Sequence, residues 1–205
     1  MAATATTTAQ AGAVTRSGAI VLARHGEPDL SRKVRFSAKA YGEWWAVYET
    51  KGLKPGQAPP AELVAYGKGA GALVASIRPR SIETAKAVCG ERAFAIDPLF
   101  VEAPLPPPPF PSWLKTSPKI WGFLSRFWWW FFNNHRGQES RKAAEARAEQ
   151  AADVLEALAA EGQDVLVMAH GFFNTMIGRS LQTRGWNLTE NQGYNYWAMR
   201  RFERG

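Results

Sequence analysis

Two short aliphatic runs, far apart in the chain, each end in a histidine followed by glycine. The first run, Ile20–Ala23, leads into Arg-His-Gly-Glu at 24–27, and the second, Val165–Ala169, leads into His170 and another glycine. The chain of 205 residues has only 3 histidines. Such runs are typical of buried parallel strands, and side chains just past the carboxyl ends of parallel strands face the ligand crevice. We therefore predict that His25 and His170 meet in one site.

The rest of the chain alternates strand and helix patterns, which is typical of α/β proteins. After the first strand, the patterns predict further strands at 72–76, 94–96, 164–169 and 196–202, the last of them at an edge of the sheet. They predict helices at 36–50, 61–69, 81–88, 139–160 and 172–182. The fold class that follows is α/β, a three-layer α/β/α sandwich with a mostly parallel central sheet.

One domain is the natural expectation for 205 residues, a length that buries a single sizeable core. We assign it to residues 19–205, because residues 1–18 are rich in alanine and threonine and predict a disordered tail. Within the domain, the sequence at about 103–135 breaks the alternation and contains a proline run, Pro106–Pro109. Proline lacks the amide hydrogen that central strands and helix interiors need. This segment is predicted as an aromatic-rich insertion that caps the domain.

The net charge and the composition indicate which classes of binding partner to expect. A formal net charge of +7 favours anionic partners, whether phosphorylated substrates, anionic lipid or nucleic acid. No nucleic-acid recognition module accompanies the basic and aromatic residues, so no specific nucleic-acid partner is predicted. The single cysteine, Cys89, excludes an internal disulfide and fits a reducing compartment. Because no secretory signal or run of about 18 apolar residues is visible, we expect a cytoplasmic protein, and an oligomer stays open.

The residues at the predicted strand ends suit phosphoryl transfer, which needs cations around the phosphoryl oxygens and a nucleophile in line with the leaving oxygen. Arg24 lies next to His25, and the glycine that follows lets the backbone turn toward an anion. A second guanidinium is expected from the stretch 76–85, which leaves a predicted strand and begins a helix. A proton donor is also required. Glu102 follows the next predicted strand, and Glu27 is its rival because it lies closer to His25 in the sequence.

In this order the motifs resemble those of the histidine phosphatase superfamily, also called phosphoglycerate-mutase-like. The resemblance rests on Arg-His-Gly-Glu at 24–27, Arg-x-x-x-Thr-Ala at 80–85, Glu102 and Ala-His-Gly at 169–171. It covers the chain from Ile20 to about Ile177. Any one of these motifs alone would be weak, and their shared order makes the resemblance specific.

The resemblance implies a role for each matching residue. His25 resembles the nucleophile that becomes phosphohistidine, and Glu102 resembles the general acid that protonates the leaving oxygen and then activates water. The residues that resemble the rest of the phosphate-binding core are Arg24, Arg80 and His170. No metal and no cofactor is implied, and three histidines and one cysteine at these spacings form no recognisable metal-ligand set.

Two positions depart from the family pattern. Ser31 stands where the family often has asparagine; its hydroxyl can still donate to phosphate, and Arg32 follows it. Arg78 stands where the family often has an aliphatic residue, so an exchange of roles between Arg78 and Arg80 is open. The spacing to Thr84 favours Arg80.

The insertion is also rich in aromatic residues, which are interleaved with Lys115, Lys119 and Arg126. They are Trp113, Trp121, Phe123, Phe127, Trp128, Trp129, Trp130, Phe131 and Phe132. From Lys119 onward the apolar residues run nearly all round a helix, which must be covered by protein, ligand or lipid. Three interpretations stay open: a cap packed over the sheet, a lid for an apolar group on the substrate, or peripheral membrane contact through 113–132. We expect Trp44 and Trp45 to pack against this segment.

The sequence thus predicts a metal-independent phosphoric monoester hydrolase of the histidine acid type, acting through a phosphohistidine on His25. Its expected partner is a phosphorylated small molecule or lipid-like substrate, with an apolar moiety suggested by the insertion. One alternative is a phosphomutase of the same superfamily. The other is a non-catalytic protein that binds a membrane or a partner on this scaffold.

Overall fold

The computed structural model describes residues 17–205, in which strands and helices alternate. The strands are β1 (Ile20–Arg24), β2 (Ala72–Ser76), β3 (Ala95–Asp97), β4 (Val165–Ala169), β5 (Asn187–Asn191) and β6 (Met199–Glu203). The helices are α1 (Ala38–Thr50), α2 (Ala61–Gly69), α3 (Pro79–Cys89), α4 (Pro118–Phe132), α5 (Arg141–Ala159) and α6 (Gly171–Thr183). Of the predicted tail, residues 1–16 lie outside the described residues. Gly18 is buried, and its amide donates to the Ala159 carbonyl at 2.9 Å.

The six strands form one sheet in the order β3-β2-β4-β1-β6-β5. The pairs β3–β2, β2–β4 and β4–β1 are parallel. In contrast, β6 runs antiparallel to β1, and β5 runs antiparallel to β6. The strand expected at 196–202 is β6, and its predicted place at an edge is wrong, because β5 continues the sheet beyond it. The sequence of β5, Asn-Leu-Thr-Glu-Asn, is polar and largely exposed, so it carries no alternating apolar pattern that would have revealed a strand.

Helices cover both faces of the sheet and form the three predicted layers. Alternate side chains of each strand point to opposite faces. On one face Leu22 of β1 and Val167 of β4 pack with Leu155 of α5 in the larger core. On the other face neighbouring residues of the same strands pack with Leu63 of α2 and Val88 of α3. Each fully buried Leu, Val or Ile side chain stabilises the fold by about 1.5–3 kcal/mol relative to an exposed one. The predicted α/β sandwich is confirmed.

The insertion at 103–135 is irregular up to residue 117 and then forms α4, which packs beside α1. Ser117 caps α4 by accepting from the Ile120 amide, and Asn133 ends it in the left-handed conformation at φ 52°. The cap has a small core of its own, made by Ala38, Tyr41 and Trp121 with Phe36, Trp44, Trp45, Phe110, Leu114 and Leu124 around them. Trp44 and Trp45 thus pack against the insertion, as expected. None of the helices in residues 17–205 is long and apolar enough to cross a membrane.

A backbone bridge joins the insertion to the segment before α1, and these two segments together form the cap. Phe36 and Thr116 exchange two amide-to-carbonyl hydrogen bonds of 3.1 Å each, and the Trp121 indole donates to the same Phe36 carbonyl at 2.7 Å. Farther along α4, Trp129 enters the larger core and its indole donates to the Glu139 carbonyl at 3.0 Å. One side of α4 is therefore fixed to the domain along much of its length.

Candidate active site

The register of the central strands places the two histidines side by side. Arg24, the last residue of β1, is level with Ala169, the last residue of β4. The next residues are His25 and His170, whose ring centroids lie 5.2 Å apart at an interplanar angle of 66°. Both imidazoles are buried. The other neighbour of β4 is β2, which ends in Ser76, and the Ser76 hydroxyl lies 2.9 Å from Nε2 of His170.

The guanidinium of Arg80 lies between the two imidazoles. Arg80 is in the first turn of α3 and is fully buried. Its Nε donates to Nε2 of His25 at 3.2 Å, and its Nη2 lies 3.4 Å from Nδ1 of His170. Its Nη1 donates to the Tyr48 carbonyl at 3.1 Å, and its Cζ lies 4.6 Å from the centre of the Tyr48 ring. These contacts satisfy a charge that would otherwise be costly to bury.

The partners of each imidazole fix where its proton lies. A guanidinium can only donate, and a carbonyl can only accept. His25 Nδ1 lies 2.7 Å from the Gly26 carbonyl, so it carries the hydrogen and leaves the Nε2 lone pair facing Arg80. In His170 the Nδ1 lone pair faces Arg80, and Nε2 donates to Ser76. The lone pairs of both imidazoles therefore converge on one cation.

Burial and positive charge keep both imidazoles neutral. Burial is the main cause that holds the pKa of His25 well below its ordinary value, with the Arg80 and Arg24 charges adding to the effect. Burial also holds the pKa of His170 well below its ordinary value, followed by the charge of Arg80. A neutral imidazole with a free lone pair is what a nucleophilic histidine requires.

Gly26 connects the first histidine to α3. Its amide donates to the Thr84 hydroxyl at 3.0 Å, and that hydroxyl donates to the Arg80 carbonyl at 2.7 Å. A Cβ on Gly26 would lie 2.3 Å from the Trp197 ring, so a side chain at this position would force a neighbour to shift. The threonine four residues after Arg80 thus orients the turn that carries His25.

Arg24 and Tyr196 form one wall of the site. The Cζ of Arg24 lies 4.4 Å from the centre of the Tyr196 ring, and its Nη1 donates to the Tyr194 carbonyl. The Nε of Arg24 is buried and finds no acceptor among the residues the structure describes, so a donor is left for a ligand. The Tyr196 ring lies 5.8 Å from His25, and burial raises its pKa to about 12. Tyr196 is not among the predicted site residues; it lies in the irregular segment before β6.

Glu49 is a second residue that the sequence did not reveal. From the end of α1 its carboxylate accepts from Nη2 of Arg80 at 2.9 Å and from Nη2 of Arg78 at 2.6 Å. Arg78 is half-buried and turned to this carboxylate, whereas Arg80 contacts both histidines. A glutamate on an amphipathic helix has no sequence pattern that separates it from a solvated one.

The two candidate proton donors have different surroundings. The Glu102 carboxylate accepts from the Phe173 amide at 2.8 Å and from the Phe172 amide at 3.4 Å. These amides belong to the first turn of α6, where free N–H groups favour an anion, and α6 begins directly after His170. Glu27 is exposed, and its backbone is held by the Gln57 side chain at 2.8 and 2.6 Å.

The Ser31 side chain is engaged in a local contact. It is exposed, and its hydroxyl accepts from the Lys33 amide at 3.2 Å, which closes a local turn. The adjacent Arg32 does border the site, because its Cζ lies 5.5 Å from the ring centre of Tyr196 and 5.7 Å from that of Tyr48. In residues 17–205 there is no group of three or more His, Cys, Asp or Glu that could hold a metal ion.

A family model described as the histidine phosphatase superfamily (branch 1) matches residues 50–195, a region that begins after the first histidine motif. Comparison with curated proteins returns no match.

Among solved structures, the fold is similar to that of a mutant phosphoserine phosphatase from Entamoeba histolytica in complex with phosphoserine. The TM-score is 0.56 at 15% identity, covering 90% of this chain and 89% of that one. A phosphoglycerate mutase from Bacillus anthracis gives a TM-score of 0.53 at 17% identity, covering 91% and 88% of the two chains. The product of an open reading frame of Mycobacterium tuberculosis gives 0.55 at 18% identity, covering 91% of each chain. At these identities the likeness concerns the fold.

Proposed function

Because the chain belongs to the histidine phosphatase superfamily, we propose that it hydrolyses phosphomonoesters through a phosphohistidine on His25. The observation that carries this proposal is the hydrogen bond from His25 Nδ1 to the Gly26 carbonyl at 2.7 Å. It fixes the ring with the Nε2 lone pair toward the buried cation of Arg80, where an anion would bind. The lowered pKa of His25 keeps that lone pair unprotonated at neutral pH.

In the first step of the proposed reaction, the Nε2 lone pair of His25 attacks phosphorus. The N–P bond forms while the bond from phosphorus to the ester oxygen breaks, and that oxygen leaves with the bonding pair. Glu102 donates a proton to it, so the alcohol departs neutral. Glu102 is supported in this role by its hydrogen bond from the first turn of α6, the helix that begins directly after His170.

In the second step, the Glu102 carboxylate takes a proton from a water molecule. The water oxygen attacks phosphorus, the N–P bond breaks, and its electron pair returns to Nε2 of His25. Inorganic phosphate leaves, and both residues regain their starting protonation states. No outside oxidant, reductant or metal is needed for this balance.

Arg24, Arg80 and His170 are proposed to hold the phosphoryl oxygens. Arg24 offers a buried donor that finds no acceptor within residues 17–205, and Arg80 offers donors that face both imidazoles. The charge on the oxygens is largest in the transition state, so fixed donors accelerate the reaction more than they tighten substrate binding. Ser31 stays a proposed contributor, and the adjacent Arg32 borders the site.

The substrate is proposed to carry an apolar group beside its phosphate. Tyr48 lies next to Arg80 and stacks with Trp45 at 4.9 Å and with Trp44 at 5.2 Å between ring centroids. This aromatic wall leads from the phosphate position into the cap. A mutase that retains and returns the phosphoryl group is the alternative within the superfamily. An apolar wall is poorly suited to a doubly phosphorylated sugar acid.

The proposal is tested by assaying the purified protein and His25→Ala on p-nitrophenyl phosphate and a panel of phosphomonoesters, with a chelator present. Wild-type turnover that the variant lacks is expected, and hydrolysis to inorganic phosphate separates a phosphatase from a mutase. Equal activity in both proteins, or loss of activity with chelator, would contradict it. A cytoplasmic location belongs to the same proposal and rests on the single cysteine.

A further inference from the structure

The helix α4 has two apolar sides, and only one of them is covered. Trp121, Ser125 and Trp129, spaced by four residues, are fully buried against the domain. The opposite side presents large apolar side chains to solvent. We call this side the aromatic face; it consists of Ile120, Phe123, Phe127 and Phe131.

The aromatic face is strongly exposed for residues of this type. Phe123 is 66% exposed, Phe131 is 65% exposed, and Trp113, just before the helix, is 76% exposed. Single exposed apolar residues are ordinary, but a continuous row along one helix marks an interaction surface. Its members at 120, 123, 127 and 131 follow the spacing of one helical stripe, so they lie on one side of the helix.

Positive charge surrounds the start of this surface. Lys119 is exposed one turn before Phe123, and Lys115 is exposed just before the helix. The bridge between Phe36 and Thr116 brings Arg35 beside them, and Nη2 of Arg35 donates to the Lys115 carbonyl at 3.1 Å. We call Arg35, Lys115 and Lys119 the basic rim. Neither of the two segments that build this side of the cap, 30–42 and 103–138, contains an aspartate or a glutamate.

We propose that the aromatic face docks on the surface of an anionic lipid bilayer, with the basic rim directed at lipid phosphates. Phenylalanine and tryptophan side chains beside lysine and arginine are the combination that binds the boundary between headgroups and acyl chains. The 15 residues of α4 are fixed to the domain by their other side, so the helix would lie flat in this boundary. The net charge of +7 adds a long-range attraction to an anionic membrane.

A second copy of the chain fits this surface less well than a bilayer. In a symmetric dimer each partner presents the same patch, so both copies bring a basic rim and neither segment brings a carboxylate to offset it. Like charges placed against each other weaken such a contact. A bilayer rich in anionic lipid supplies both an apolar layer and the opposite charge.

The test is co-sedimentation of the full chain with vesicles made of equimolar phosphatidylcholine and phosphatidylglycerol, compared with vesicles of phosphatidylcholine alone. Binding to the anionic vesicles is expected, weaker binding to the neutral ones, and release by high salt. The triple variant Phe123→Ser, Phe127→Ser and Phe131→Ser should lower the partition coefficient by about tenfold or more.

A matched control changes three exposed apolar residues outside the cap: Ile96→Ser, Val154→Ser and Leu188→Ser. It should bind as the wild type does.

Two further variants keep the test decisive if the triple variant folds poorly. Lys115→Glu with Lys119→Glu should reduce binding to anionic vesicles by about tenfold while far-ultraviolet circular dichroism stays unchanged. His25→Ala should bind as the wild type does, because docking is independent of the chemistry at that residue. Equal binding to neutral and anionic vesicles, or no binding by the wild type, overturns the proposal. A wild-type dimer in sedimentation velocity that the triple variant abolishes, without vesicle binding, assigns the face to a second copy.

Discussion

Nε of Arg80 donates a hydrogen bond to Nε2 of His25 across 3.2 Å. The nitrogen proposed to attack phosphorus thus shares its lone pair with a cation in the unliganded protein. An incoming phosphate dianion is a stronger acceptor than an imidazole and would draw the guanidinium toward its oxygens. Phosphate binding and the release of the nucleophile are therefore coupled through one side chain.

Replacing Arg80 by lysine should reduce kcat/KM by about 100- to 1,000-fold, the usual cost of losing one fixed donor to the transition state. Lysine keeps the charge but cannot span both imidazoles as the planar guanidinium does. The matched control is Arg78→Lys, because Arg78 contacts Glu49 and neither histidine. Steady-state kinetics on p-nitrophenyl phosphate measure both variants. A larger loss in Arg78→Lys would exchange the roles assigned to the two arginines.

Glu102→Gln should accumulate the phosphohistidine with p-nitrophenyl phosphate. Its leaving group needs little protonation, so the first step proceeds while water lacks its base. Turnover should fall by about 100- to 10,000-fold, the range for general acid–base catalysis. Intact mass after rapid mixing should show one phosphoryl adduct on Glu102→Gln and none on His25→Ala. Glu27→Gln is the matched control and should turn over normally; an adduct that accumulates there instead would make Glu27 the base.

The free energy of unfolding should fall as the pH drops below about 6.5, the ordinary pKa of histidine. Because burial and Arg80 lower the folded pKa of His25 and His170, the unfolded chain binds more protons than the folded one in this window. Stability is therefore highest above it. Each imidazole adds a slope of up to about 1.4 kcal/mol per pH unit until the pH reaches its folded pKa.

Urea unfolding without phosphate, from about pH 7.5 to about pH 5.5, measures this slope. His25→Gln and His170→Gln should each remove part of it, and the double variant should remove more than either. A slope that stays the same in all three variants would show that the buried imidazoles do not control acid stability.

Gly26→Ala should lower both stability and activity. The new methyl group would lie 2.3 Å from the Trp197 ring, so this ring or the turn that carries His25 must shift. Overpacking of this kind costs about 1–3 kcal/mol. Gly69→Ala is the matched control, since a Cβ at that position meets nothing within 4 Å. Thermal unfolding and phosphatase kinetics follow both variants, and a fully active Gly26→Ala would show that this turn tolerates a side chain.

The strand-end residues were predictable because parallel strands bring their carboxyl ends to one edge of the sheet. His25, His170 and Arg80 all follow or begin elements with clear apolar patterns, and the structure brings them together. Glu49 and Tyr196 were not predictable, because each reaches the site from a segment whose position depends on tertiary packing. The strand β5 was not predicted because its residues are polar. Its extended conformation depends on pairing with β6.

The extent of the cap was only partly visible in the sequence. The aromatic crowding after Lys119 indicated a helix that must be covered, and one side of α4 is buried by α1 and the larger core. The sequence could not say which side, because apolar residues surround the helix. Only the packing of Trp121 and Trp129 defines the face that is left exposed.

The bridge between Phe36 and Thr116 has a consequence for protein engineering. The cap is built from two separate segments of the chain. The bridge and the hydrogen bond of the Trp121 indole join these segments, so they should be exchanged together. Deleting residues 113–132 alone would remove both hydrogen-bond donors of the Phe36 carbonyl and expose Tyr41. Chimeras that exchange the cap between relatives must therefore cut at four junctions, taking the segment before α1 together with α4.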